Sequence, residues 1–227
     1  MVECTYNKVY HKKNERKKMS IKKKVREPKI VIGGSDCLGR NLNGRLSMNL
    51  TNISRVGTCK VVTPKVYAER MAKAKNPLFI IGPGLLIDYA EGKLPIDWAV
   101  DIAKAGNLPV CATADTAGPL IERGLKPDLS CGILEITGIY LVDPEWKGVN
   151  GKGQHDFVLF NGIPCFFAER ALTTLLRYAP WLKTHTVCPR MHHNADYTWP
   201  KQNKAGYTRY KQELIDEFKK VRKSSTN

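Results

Sequence analysis

The chain has 227 residues, enough for one sizeable core but not for two, and its 42% hydrophobic content with four tryptophans excludes a disordered protein. No apolar run approaches the roughly 20 residues that cross a bilayer. The basic N-terminus lacks the apolar stretch of a secretory signal, so a cytoplasmic protein with no membrane association is expected.

The net charge of +16 sits at the two ends: residues 1–29 carry +8 and residues 201–227 carry +5, which leaves +3 for everything between. A basic tail speeds encounter with any acidic partner. Nucleic-acid binding is not expected, because the central stretch holds no basic surface interleaved with aromatics and no reader module. Seven cysteines, at 4, 37, 59, 111, 131, 165 and 188, include no C-x-x-C pair. Zinc-ribbon and iron–sulfur spacing is therefore missing, and reduced thiols are the expectation.

Residues 1–60 read as a basic N-terminal extension, lysine-rich at first and then rich in Gly, Asn and Ser, extended or disordered without a partner. Helical spacing begins at Thr63, an N-cap type, followed by Pro64 at the first helical position. Val66, Tyr67, Arg70, Met71 and Ala74 supply a largely apolar face, and Asn76-Pro77 ends it. Leu78-Phe79-Ile80-Ile81 is a continuous apolar run stopped by Gly82-Pro83-Gly84, which suits a strand buried on both faces of a parallel sheet. The alternation then repeats. A helix over Ile96–Ala105 closes at Gly106, expected to take a left-handed C-terminal cap. A strand follows at Pro109–Thr113, and then a short helix around Leu120–Arg123. A third strand covers Phe157–Phe160, a helix Phe166–Tyr178 and a fourth strand Lys183–Val187. Strand–helix repeats predict an α/β domain over residues 61–203, Rossmann-like, with a parallel sheet flanked by helices. Residues 204–227 hold a basic amphipathic helix with Tyr210, Leu214, Phe218 and Val221 on one side, able to pack on this domain or on another subunit.

Four groups of residues invite a chemical reading. Gly82 and Gly84 follow a strand at the edge where open parallel sheets bind phosphates, and Thr113 and Asp115 follow the next strand to the same edge. They are the candidate flavin or nucleotide site. Against this stands a plain tight turn, since Pro83 removes one amide donor. His185, Cys188, His192 and His193 fall within nine residues, but Pro189 interrupts them, and local hydrogen bonding is preferred to a metal. Asp143, Glu145, Trp146 and Lys147 read better as a structural or subunit-contact loop than as acid–base groups, because neighbours in a loop are not yet a shared cleft. No nucleophile elbow, metalloprotease or P-loop motif is present, so no catalytic residue is assigned.

Asp143-Pro144-Glu145-Trp146-Lys147-Gly148, then Gly151-Lys152-Gly153-Gln154 and Asp156–Phe160, resemble the epsilon subunit family of the archaeal carbon monoxide dehydrogenase/acetyl-CoA decarbonylase–synthase complex. So do Met71–Leu78, Ile121–Gly124, Gly162-Ile163, Ala179–Thr184 and His193–Ala195, in the same order. The resemblance spans about residues 60–200. It implies a parallel α/β domain like those of sirtuins and thiamine-diphosphate enzymes. It also implies an accessory subunit without chemistry of its own, seated on the large catalytic (alpha) subunit of the carbon monoxide dehydrogenase. That partner would hold the nickel–iron–sulfur and iron–sulfur clusters. This chain would hold no cofactor firmly, with FAD as the one it would assist or bind. The alternative, from a different class of function, is a stand-alone nucleotide- or flavin-binding enzyme of sirtuin-like fold.

Overall fold

The computed structural model describes residues 59–87 and 93–224. Nearly all of the expected N-terminal extension therefore lies outside the described residues.

Seven strands form one sheet in the order β1-β7-β6-β5-β2-β3-β4, and every pairing is parallel. The strands are β1 (Lys60–Val61), β2 (Pro77–Ile81), β3 (Val110–Ala112), β4 (Leu129–Ser130), β5 (Phe157–Asn161), β6 (Lys183–Val187) and β7 (Tyr197–Thr198). The helices are α1 (Pro64–Lys73), α2 (Pro95–Gly106), α3 (Ala117–Glu122), α4 (Cys165–Tyr178) and α5 (Lys204–Ser224). The four strands legible in the sequence are β2, β3, β5 and β6. The other three strands have two residues each, too short for any hydrophobic period to announce.

Alternation along each strand sends side chains to opposite faces. Phe79, Ile81, Val110, Phe157, Leu159 and Val187 therefore meet α1, α2 and α5 on one side. Leu78, Ile80, Cys111, Val158 and Phe160 meet α4 and the segment through Ile136 and Leu141 on the other. Both faces are covered, which is why β2, β3 and most of β5 are apolar, whereas β6 buries Thr184, His185 and Thr186 with their polar atoms hydrogen-bonded.

Helix α5 settles the question left open for the C-terminal stretch. Leu214, Ile215 and Phe218 are buried in the same core as α1 and α2, so this helix completes its own domain. On the same helix Lys211 is 6% exposed, its Nζ 4.4 Å from the Tyr207 ring centroid and 4.7 Å from that of Trp98. Burial first, and then the charges of Lys93 and Lys204, lower its ammonium to about 8.

The end of α2 differs from expectation. Asn107, not Gly106, takes the left-handed cap, with φ of +49°. A β-carbon on Gly106 would sit 2.9 Å from Phe218 and from Leu108. The glycine therefore serves the close approach of α5 rather than the turn.

Candidate functional site

Parallel strands bring functional side chains to two ends of the sheet, and the two ends are built differently. At the C-terminal end, β2 and β5 leave the sheet side by side through Gly82-Pro83-Gly84 and Gly162. Gly82 N donates to Asn161 O at 2.9 Å and Gly84 N donates to Gly162 O at 2.7 Å. A β-carbon on Gly82 or Gly84 would lie 2.7 Å or 2.6 Å from Gly162 O. These glycines let two loops cross at contact distance. Their amide donors are spent on that crossing, so they offer a pyrophosphate nothing to bind.

Thr113 is buried, and its Oγ1 donates to Ile81 O at 3.0 Å; only Asp115 of that pair is exposed. Between them Ala114 has φ of +52°, a strained turn that carries the chain from β3 towards α3. Asn161 Nδ2 is buried with no partner among the described residues. One amide is too little for a dinucleotide, and Gly82, Gly84, Thr113 and Asp115 do not fit flavin as a group.

The histidines of the cysteine–histidine stretch are separated by the fold. His185 lies inside β6, stacked 4.1 Å from the Phe157 ring and 4.9 Å from that of Tyr197. Arg70 Nε donates to its Nε2 at 3.1 Å, which leaves its Nδ1 to donate to Lys183 O. Burial, and then the Arg70 charge, lower His185 to about 3, so it is neutral. His192 lies past the end of β6, fully enclosed, with its Nδ1 2.8 Å from Glu169 Oε1 on α4. His193 is half-buried beside it. The sulfur and ring-nitrogen atoms of Cys165, Cys188 and His192 lie within 4.8 Å of one another. Cys165 is disulfide-bonded, however, and presents no thiolate to a cation. That bond departs from the reduced thiols expected throughout. Cys131 is half-buried at the β4 edge, with its sulfur 3.7 Å from that of the enclosed Cys111.

At the N-terminal end of the sheet, the loop between Leu141 and Asp156 is fastened from beneath. Asn76, just ahead of β2, donates through Nδ2 to Gly153 O at 2.6 Å and exchanges hydrogen bonds with the Asn150 side chain. His155 Nε2 accepts from Val149 N at 3.1 Å, so its Nδ1 carries the proton and donates to Asn76 O at 2.9 Å. Gln154 Nε2 donates to Tyr140 O at 3.2 Å and also to Asp143 O. Gly148 has φ of +73°, and a β-carbon there would lie 2.5 Å from Gly153 O and 2.9 Å from Asn76 Nδ2.

Trp146 is half-buried between Tyr140 and His155, with ring centroids 5.3 Å and 5.4 Å away, so it props the loop from inside. Asp143, Glu145 and Lys147 are exposed on top. Asp143 Oδ1 accepts from Glu145 N at 2.9 Å, which fixes the turn. Immediately before the loop, Leu134 and Ile139 stand 51% and 61% exposed on a short helical segment, Ile133–Glu135 followed by a π-turn at Ile136–Tyr140. This apolar pair and its clamp, Asn76 and His155, escape sequence reading. Ile139 is spelled like any core residue, and Asn76 lies 77 positions from its acceptor.

A family model described as "CO dehydrogenase beta subunit/acetyl-CoA synthase epsilon subunit" matches residues 44–215. A protein named acetyl-CoA decarbonylase/synthase complex subunit epsilon from Methanothermobacter thermautotrophicus is 37% identical over 157 residues, 69% of this chain and 87% of that relative. Subunit epsilon 1 from Archaeoglobus fulgidus is 38% identical over 127 residues, 56% of this chain and 65% of the relative. Subunit epsilon 1 from Methanosarcina barkeri is 30% identical over 161 residues, 71% of this chain and 90% of the relative. No helix among the described residues is long and apolar enough to cross a membrane.

Proposed function

Because the chain belongs to the CO dehydrogenase beta subunit/acetyl-CoA synthase epsilon subunit family, we propose that it is an accessory subunit of an acetyl-CoA decarbonylase/synthase complex. Its partner in this reading is the large nickel–iron (alpha) subunit of the carbon monoxide dehydrogenase component, which it stabilises by docking. The chemistry of carbon monoxide belongs to that partner.

The observation that carries the docking is the shelf at the N-terminal end of the sheet. Asn76 and His155 hold the loop in place before any partner arrives, so little ordering entropy is lost on binding. Its exposed charges at Asp143, Glu145 and Lys147, together with the uncovered Leu134 and Ile139 on the segment that leads into it, are the surface this reading offers to a partner. Electron transfer to a flavin, where it occurs, uses FAD held elsewhere in the complex. The donors at Gly82 and Gly84 are already committed within this chain.

A tagged full-length chain exposed to anoxic extract of its source cells is expected to retain a large nickel- and iron-containing protein with carbon monoxide oxidation activity. Recovery of the chain alone would remove this reading. FAD titrated into the isolated chain is expected to leave the flavin fluorescence unchanged.

A further inference from the structure

Past the C-terminal end of β6 lies a cluster that the docking role does not use. Glu169 is a carboxylate on α4 with no exposed surface, an expensive placement unless charge and hydrogen bonds offset it. Its Oε1 faces His192 Nδ1 at 2.8 Å, and its Oε2 accepts from Asn194 Nδ2 at 2.7 Å. His192 N donates to Thr198 Oγ1 at 3.1 Å, which fixes the residue against β7. With Nδ1 committed to the carboxylate, Nε2 is the nitrogen turned towards the sulfurs, 3.9 Å from that of Cys165. Cys188, a free thiol one residue beyond β6, places its Sγ within 4.8 Å of a His192 ring nitrogen; the residue as a whole is half-buried while its sulfur belongs to the buried group of three, which limits its partners to small molecules.

Carboxylate, imidazole and thiol in this order are the arrangement that converts a thiol into a nucleophile. The charged and titratable groups around Cys188, among the described residues, are few. His192 and Arg190 come from its own segment, Glu169 and the bonded Cys165 from α4, and Tyr67 from α1. His192 and Arg190 favour the thiolate, while Glu169 acts through the imidazolium. Burial opposes the charge, yet the Cys188 thiol is lowered from its ordinary value, and the interaction with that thiolate and with Glu169 raises His192 to about 10 against its own burial.

We propose that Cys188 is a reactive thiolate, held by His192 and positioned through Glu169, that forms a mixed disulfide with a low-molecular-weight disulfide. The Cys188 thiolate attacks one sulfur of the small disulfide. A new S–S bond forms as the ligand's own S–S bond breaks, and the bond's electron pair leaves on the expelled sulfur. His192 supplies the proton that makes this a thiol. Cys188 is oxidised and the expelled sulfur reduced, so no outside oxidant is needed.

The test treats the full chain with hydroxyethyl disulfide and reads the adduct on each cysteine by mass spectrometry between pH 6 and 9. At pH 6.5 Cys188 is expected to react at least tenfold faster than Cys59, with a rate that rises less steeply with pH than that of an ordinary thiol. Cys188→Ser should remove the adduct. His192→Gln should restore the tenfold rise per pH unit of an ordinary thiol, and Glu169→Gln should fall between. The wild-type profile is decisive even if a variant fails to fold. A Cys188 rate that climbs tenfold per unit, or one no faster than that of Cys59 at pH 6.5, would show that the cluster only closes the β6–β7 connection and would overturn the proposal.

Discussion

The two ends of the sheet spend their polar groups in opposite ways. At the N-terminal end, Asn76 and His155 turn their hydrogen bonds upward into the loop between Leu141 and Asp156, and charged side chains remain outside. At the C-terminal end, hydrogen bonds close inward: Gly82 and Gly84 onto β5 and Gly162, Thr113 onto β2, and Glu169 onto His192. Open parallel sheets usually bind ligands at the C-terminal end. Here that end is largely sealed, and the docking surface proposed above lies at the other. A fold of this class therefore does not announce where its function sits.

The largest expected effect is at the sealed end. Gly162 has φ of +73°, and a β-carbon there would meet Gly82 O at 2.8 Å as well as the Leu85 side chain. Gly162→Ala should cost at least ~3 kcal/mol in urea unfolding. Gly151 also has positive φ, +71°, but nothing stands within 4 Å of its would-be β-carbon. Gly151→Ala should cost only about 1–2 kcal/mol, the backbone strain alone. Equal costs at the two glycines would mean that the crossing at Gly162 is looser than described.

Next comes the clamp. Asn76→Ala strands Gly153 O and frees the Asn150 side chain, and is expected to cost about 2 kcal/mol. It should also speed amide hydrogen exchange across residues 147–154 while leaving β6 protected. Uniform acceleration over the whole domain would argue that the loop is not a separate fastened unit.

Smaller again is a pH effect. His185 is neutral in the fold, lowered to about 3 from 6.5, so between those values the unfolded chain binds the extra proton. Stability should fall by about 1.4 kcal/mol per pH unit from this residue as the solution is acidified from 6.5 towards 3. His185→Gln should remove that part of the slope, measured as the difference from wild type in urea titrations at pH 6 and pH 4.5. His155, also lowered by burial, contributes in the same direction and remains in both proteins.

The sequence carried the four central strands and the flanking helices because their patterns are local. A run such as Leu78–Ile81 or Phe157–Phe160 states its burial on both faces by itself. The two-residue strands β1, β4 and β7 are hydrogen-bonded consequences of the fold and leave no period to read. The site followed the same division. Trp146 and its charged neighbours stand out as a word in the sequence, whereas the fastening from Asn76 does not, since it joins positions more than seventy residues apart. The stretch from His185 to His193 was legible as a group but not in its parts. The strand path takes His185 into the core, and the turn after Cys188 brings His192 against Glu169, 23 residues earlier on α4.

Least costly to the fold, and most pointed about function, is the apolar pair beside the loop. Leu134→Asp with Ile139→Asp should leave stability within about 0.5 kcal/mol, because both side chains are largely in solvent. The same double change should abolish retention of the large subunit. Amide hydrogen exchange on the chain, free and bound to the purified nickel–iron subunit under anoxic conditions, tests the central claim directly. Protection gathered over residues 133–154, with the loops after Gly82 and Gly162 unchanged, is the predicted result. Protection at the Gly82 and Gly162 crossing with none over residues 133–154 would contradict the account.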